Sequence, residues 1–543
     1  MKVIACAALL FAEAAAAAQV HIHTGTLQGI VTSDVVAYKG IPYAEPPIGS
    51  LRWRSPIPAH AWKGVRAAQE FGHACLQPPQ QPTGLYSGGM APMSEDCLTL
   101  NVWAPSNAAR GLPVMVWIHG GALMGGSSSE PLYDGVKIAQ QGVVFVSINY
   151  RLGLLGYFAH SALSAESARH VSGNYGLLDQ IEALKWVRDN IAAFGGDPRR
   201  VTIGGESAGA LSVIELMASP LARGLFIRAI SQSGYMPTYR ALHDDTLGLQ
   251  SAEAGGKALA VAAGASDAAA LRAADLTVLF KAGLATGWQP EPVIDGVVLK
   301  RQLAETFFRG EQAKVPVIAG FNEGEIRSLL FLMPKAPDSQ SAYEADVRSR
   351  FGDEASAYLA VYPGVDPKAD VMDSVRDGIY GWAAENLVRQ QAAVGQPAYL
   401  YFFRHSTPTE RARDLAAFHA SELPYIFGQV GPSATLGPNW PRPPLTEEET
   451  QLSHAMMSYW TSFVQDGVPN ASGQSIWPRY TARERAYLDI DDRPSAHLDL
   501  QRGAFELADR LVAERRKQGR GWRLDIGFSA VDASGTGRQP TVR

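Results

Sequence analysis

The chain has 543 residues, 46% hydrophobic and 19% charged, with a net charge of −5, enough apolar content for a large buried core. Acidic and basic residues are interspersed, with no Lys/Arg stripe to neutralise phosphates, so nucleic acid is excluded as an expected partner. Beyond the N-terminal stretch no run of eighteen apolar residues occurs, which excludes a membrane span in the mature chain.

In chain order the first element is a leader. "MKVIACAALLFAEAAAAAQV" sets one Lys before an apolar stretch from Val3 to Ala12, followed by small residues at Ala16-Ala17-Ala18. This order of charge, apolar segment and A-x-A site predicts a secretory signal peptide over residues 1–18 and a secreted or periplasmic protein. Cleavage removes Cys6, and the remaining Cys75 and Cys97 are expected to form one disulfide in an exported chain.

Four Val/Ile-rich runs without clean alternation predict buried parallel strands: Pro113–Gly120, Gly142–Tyr150, Arg200–Gly205 and Val315–Asn322. Between the second and third, Leu177, Ile181, Leu184, Val187 and Ile191 recur at helical spacing, stopped by Gly195-Gly196 and Pro198. Strand, helix, strand in that order implies right-handed crossovers in an α/β, doubly wound, mostly parallel sheet. Helical patterns at Leu242–Leu284, Ala342–Tyr362 and Met372–Val394 read as insertions above the sheet, and others return at Thr446–Gln465 and Ala504–Lys517. No internal linker divides the chain, so one catalytic domain is expected over 19–523. From 524 to 543 the composition turns to Gly, Ser, Asp and Thr, which predicts a flexible C-terminal tail.

Gly205-Glu206-Ser207-Ala208-Gly209, between the third strand and a helical run, fits the G-x-S-x-G nucleophile elbow, a sharp turn that lifts one hydroxyl off the sheet edge. Its plainer alternative, a glycine-rich helix start with a capping Ser, is disfavoured by the strand and helix on either side. "WIHGGALMGG" leaves the first strand with consecutive glycines, and the N–H groups of Gly121 and Ala122, with that of Ala208, are assigned as the donors to an oxyanion. His119 has no second ligand near it in sequence and reads as structural. A triad on this sheet follows the chain order Ser, acid, His. Glu323 and Glu325 in "VIAGFNEGEIRS" both qualify as the acid. His454 lies in a helical pattern and His497 in a polar segment, leaving His405 and His419 unresolved by order alone.

The motifs "YKGIPYAEPPIGSLRWRSP", "SEDCLTLNVW", "INYRLGLLGYF", "GESAGA", "SQSG", "HASELPYIFG" and "WPRY", in this order from Tyr38 to Leu488, make the chain resemble the type-B carboxylesterases, which include the cholinesterases, within the α/β-hydrolase fold. The resemblance implies a Ser–His–Glu triad falling on Ser207, His419 and Glu325. The family's D-E-G string is replaced here by "NEGEI", which keeps Glu323 in competition. The resemblance also puts Ser233 beside the triad, maps the family's disulfide onto Cys75 and Cys97, and implies buried ion pairs Arg52–Glu95 and Arg151–Asp179. Two departures stand out: Ala122 fills the place of a third glycine, and the segment between the cysteines offers Tyr86 where cholinesterases carry a Trp, which argues against choline esters.

The implied activity is hydrolysis of a small-molecule carboxylic ester through an acyl-enzyme, with neither metal nor organic cofactor. The rivals are a binding protein that has lost catalysis, disfavoured by the intact Ser, His and acid, and a related acyl transfer or amide cleavage.

Overall fold

The structure, a computed structural model, describes residues 17–528 apart from 33, 80, 82, 108 and 109. The signal peptide expected over 1–18 lies outside the described residues except for Ala17 and Ala18, which open the first strand. Among the described residues, thirteen strands form one sheet, twelve of them in a continuous path. Their chain order is β1 (Ala17–Ile22), β2 (Gly25–Thr32), β3 (Val35–Pro42), β4 (Thr99–Pro105), β5 (Leu112–Ile118), β6 (Val144–Ile148), β7 (Gly196–Glu206), β8 (Arg228–Gln232), β9 (Val317–Asn322), β10 (Ala398–Phe403), β11 (Ala486–Ile490) and β12 (Ser495–Leu498). Their spatial order is β1-β2-β3-β4-β6-β5-β7-β8-β9-β10-β11-β12, with Val65–Ala67 alongside β2. The run β6-β5-β7-β8-β9-β10-β11 is parallel throughout, and antiparallel pairs close both flanks.

The chemistry of the central strands explains their place. In β5, Val114, Met115, Val116, Trp117 and Ile118 are all 0% exposed, because helices cover both faces of a parallel sheet and alternation has no value there. Full burial of each such side chain stabilises the fold by about 1.5–3 kcal/mol. The crossover helix α1 (Tyr175–Asn190) follows the apolar spacing, and α2 (Ala208–Ala218) is buried along its whole length. All four strands expected from the sequence are present, as are the helical insertions, with helices at Ala252–Ala262, Leu276–Thr286, Gln340–Phe351, Pro367–Arg376 and Trp382–Ala393 among them. Asp377–Gly381 joins the last two as a π-helical turn. Among the described residues no helix is long and apolar enough to cross a membrane.

The expected tail needs correction at its start. Ile526 and Phe528 are 1% and 0% exposed, and the Phe528 ring stacks on Tyr343 at 5.7 Å. These two apolar side chains bury themselves against the helical insertion, with Asp525 and Gly527 before and between them. Residues 529–543 lie outside the described residues.

Cys75 and Cys97 form a disulfide, flanked by the short parallel pair Ala74–Cys75 and Met93–Ser94. Both implied ion pairs are present and bidentate. Arg52 donates to Glu95 at 2.8 and 2.7 Å, and Arg151 to Asp179 at 2.7 and 2.6 Å.

Candidate active site

The site is assembled from the C-terminal ends of the parallel strands, where connections in such sheets can carry function without disturbing the core. β7 ends at Glu206 and α2 starts at Ala208, leaving Ser207 alone at the junction with φ 57° and ψ −123°. Few non-glycine residues adopt this backbone. It is held on both sides: the Ser207 N–H donates to the Gln232 carbonyl of β8 at 2.9 Å, and the Ser207 carbonyl accepts from Leu211 N–H at 2.9 Å. The glycines of the elbow answer to close packing. A Cβ on Gly209 would lie 2.0 Å from the Ile118 carbonyl oxygen, and one on Gly205 would lie 2.5 Å from the Gly209 backbone.

The turn after β5 passes directly over the elbow, since a Cβ at Gly120 would stand 3.1 Å from Ser207 Cβ. Its own hydrogen bonds run from the N–H groups of Met124 and Gly125 to the Gly121 carbonyl, both at 2.9 Å, and among the described residues the N–H groups of Gly121 and Ala122 find no acceptor. Ala122 takes φ 56°, a left-handed backbone that costs an alanine about 1–2 kcal/mol relative to glycine. Ala208 is the first residue of α2, so its N–H has no acceptor within the helix.

After β9, a 3-10 turn over Glu325–Ser328 sends Glu325 inward and leaves Glu323 exposed. The cause is Gly324, which bridges to Phe418 and donates to the Ala417 carbonyl at 2.8 Å. A Cβ on Gly324 would meet the Leu415 carbonyl at 2.6 Å. Fully buried, Glu325 bonds through Oε2 to Nδ1 of His419. Its Oε1 accepts from the Ser233 hydroxyl at 2.6 Å and from the Asn322 N–H at 2.8 Å. Ser233 therefore touches Glu325.

The structure thus brings His419 and Glu325 together and separates the other candidates from them. His405 is buried between Glu449 at 3.1 Å and Asp492 at 2.9 Å. His454 and His497 are exposed. His119 is buried, stacks on Tyr150 at 4.6 Å, and is pushed down to about 4 by burial. Among the described residues, His405, Asp491 and Asp492 have the ligand types and spacing of a metal site. Their bonding capacity is already engaged: Arg404 pairs with Asp491, and both His405 nitrogens have carboxylate partners.

The second nitrogen of His419 holds a feature that sequence reasoning missed. Nε2 lies 3.1 Å from Glu206 Oε1, while the Ser207 hydroxyl makes no hydrogen bond among the described residues. Burial opposes a charged imidazole, but Glu206, Glu325 and Glu422 outweigh it and lift His419 to about 9. Burial, opposed by His419 and reinforced by neighbouring carboxylates, lifts Glu206 to about 8. The two groups lie close enough for their titrations to be coupled. Glu422, also missed, sits beneath them: fully buried, it accepts from Gln232 at 2.8 Å and Asn322 at 2.7 Å, and the same Asn322 amide donates to the Phe418 carbonyl at 2.9 Å. Acidic residues beside apolar runs, Glu206 at the end of β7 and Glu422 before the short helix Leu423–Ile426, were the signal available in the sequence.

The carboxylesterase family model matches residues 16–507. The chain belongs to the carboxylesterase family. Fumonisin B1 esterase of Sphingopyxis macrogoltabida is 38% identical over 85% of this chain and 84% of its own. Para-nitrobenzyl esterase of Bacillus subtilis is 35% identical over 86% and 93% of the two chains. A solved structure of a PNB esterase superposes with a TM-score of 0.78 at 33% identity, covering 90% of this chain and 99% of that one. The fold is that of the α/β-hydrolases, and this carboxylesterase is a serine hydrolase acting on the carboxylic ester bonds of small molecules.

Proposed function

We propose that this carboxylesterase works by an acyl-enzyme route in which Ser207 is the nucleophile, His419 the general base and Glu325 the group that orients the imidazole. The observation that carries the reading is the Glu325–His419 bond beside a serine in a left-handed elbow. In the neutral imidazole, Nε2 takes the Ser207 proton as the hydroxyl attacks the ester carbonyl. Negative charge then develops on the carbonyl oxygen, toward the N–H groups of Gly121, Ala122 and Ala208 and the N-terminus of α2. The imidazolium passes its proton to the leaving alkoxide, and water repeats both transfers to release the acid. Glu325 holds the imidazole in place and compensates the charge of the imidazolium.

Hydrolysis of p-nitrophenyl acetate by the wild type and by Ser207→Ala tests the reading. Loss of turnover in the folded variant is expected, and retained turnover refutes it. The names of the relatives point to the next substrates to try, p-nitrobenzyl esters and fumonisin B1. We further propose export, supported by the N-terminal order of charge, apolar stretch and small residues and by the disulfide. A mature N-terminus at Gln19 is expected from Edman sequencing of extracellular or periplasmic protein, and an unprocessed Met1 contradicts export by this leader.

A further inference from the structure

The segment closed by Cys75 and Cys97 reaches two parts of the site that are far apart in sequence. At one end, the side-chain amide of Gln77 is matched to the Gly126 peptide: Oε1 accepts from its N–H at 2.8 Å and Nε2 donates to its carbonyl at 2.9 Å. Gly126 ends the turn that carries Gly121 and Ala122, so this contact fixes the far end of the oxyanion turn. At the other end, Tyr86 Oη lies 3.0 Å from the main-chain oxygen of His419 and 2.8 Å from Ser328 Oγ, on the turn that carries Glu325. A carbonyl only accepts, so the single phenolic proton goes to His419, and Ser328 is left to donate to the phenol. The ring is wedged edge-on against Trp440 at 5.6 Å and His419 at 6.5 Å.

The peptide that Tyr86 grips is strained. It joins His419 to Ala420, which takes φ 69° without being glycine; such a residue persists only where surrounding contacts hold it. The Tyr86 hydroxyl is the one hydrogen-bond donor found for that carbonyl among the described residues. The neighbouring carbonyls of Ala417 and Phe418 are held from the opposite side by Gly324 N–H and the Asn322 amide. Without the phenol, the His419 peptide is free to rotate and carries the imidazole away from Glu325.

We infer that the disulfide-closed segment is a positioning strap for the catalytic machinery, and that Tyr86 is a positioning residue acting through the His419 main chain. This rests on the triad reading above. It assigns Tyr86 no contact with the reacting atoms.

Tyr86→Phe keeps the wedge and removes only the hydroxyl. After normalisation to active sites by burst titration with p-nitrophenyl acetate, kcat is expected to fall about tenfold, about 1.4 kcal/mol, with KM changed less than about twofold. The acid limb of kcat/KM against pH should also move to lower pH, because an imidazole loosened from its carboxylates relaxes toward its ordinary value. A purely structural role lowers the number of active sites and leaves the turnover per site and the limb in place; that result, or wild-type behaviour, overturns the inference. Ser207→Ala, assayed alongside, separates the two readings, since hydrolysis surviving in that variant refutes the triad and not the strap alone. Substituting Gln77→Leu should likewise lower kcat per site while leaving the limb unmoved, because it acts on the oxyanion turn; a shifted limb there contradicts the division of labour between the two ends.

Discussion

Removing the charge at Glu206 tests the electrostatics of the site most sharply. Glu206 Oε1 stands 3.1 Å from Nε2 of His419, and both side chains are buried. At an effective dielectric of about 20, opposite charges at that separation attract by roughly 5 kcal/mol, close to four pKa units at 1.36 kcal/mol each. Glu206 is itself lifted to about 8, so near neutrality it is partly protonated and only a fraction of that attraction is expressed. In Glu206→Gln the imidazolium loses a neighbouring anion, its protonated form is less favoured, and the base form persists to lower pH. The acid limb of kcat/KM for p-nitrophenyl acetate should therefore move down by about one to two units. Profiles recorded from the acid to the alkaline side of the His419 titration, on protein matched for active-site content, supply the comparison. An unmoved limb, or one displaced to higher pH, refutes the assignment of Glu206 as the anion that raises His419.

Glu325→Gln should reduce kcat by about 10³–10⁴, the scale seen when a triad carboxylate becomes an amide, whereas Glu323→Gln on the exposed side of the same turn should remain near wild type; steady-state assays of both variants decide between them. Ala122→Gly removes one methyl beside the acyl carbon and should raise kcat/KM for branched-acyl over acetyl esters by about tenfold, within the range a methyl is worth in a pocket, as competition between the two esters will measure. Phe528→Ala deletes a side chain that is 0% exposed and packed on Tyr343, so urea unfolding should register a loss of about 3–5 kcal/mol; an unchanged midpoint would mean that the last described residues contribute nothing to the core.

The sheet and the elbow were legible because their signals are local. Five consecutive apolar residues in β5 and a serine between glycines after β7 each specify their own geometry. The acid was not legible from the residues alone, since Glu323 and Glu325 differ only in which side of a turn they leave from. That side is set by Gly324 pairing with Phe418, almost a hundred residues away. The Glu206–His419 contact escaped for the same reason: Glu206 was visible inside the motif, but its partner comes from another connection. The buried C-terminal end was not legible because Leu524, Ile526 and Phe528 alternate with Asp525 and Gly527, and composition averages them with the polar residues that follow. The significance of Tyr86 was hidden because its phenol binds a main-chain oxygen, and no sequence pattern marks the backbone as a partner.

The most direct measurement is the site of covalent modification during turnover. A fluorophosphonate that mimics the tetrahedral intermediate, reacted with the native enzyme and mapped by peptide mass spectrometry, should attach to Ser207 in step with loss of esterase activity, and should fail to attach in Glu325→Gln at the same rate. Modification of a different residue, or full esterase activity in protein whose Ser207 is completely blocked, would contradict the proposed mechanism at its centre.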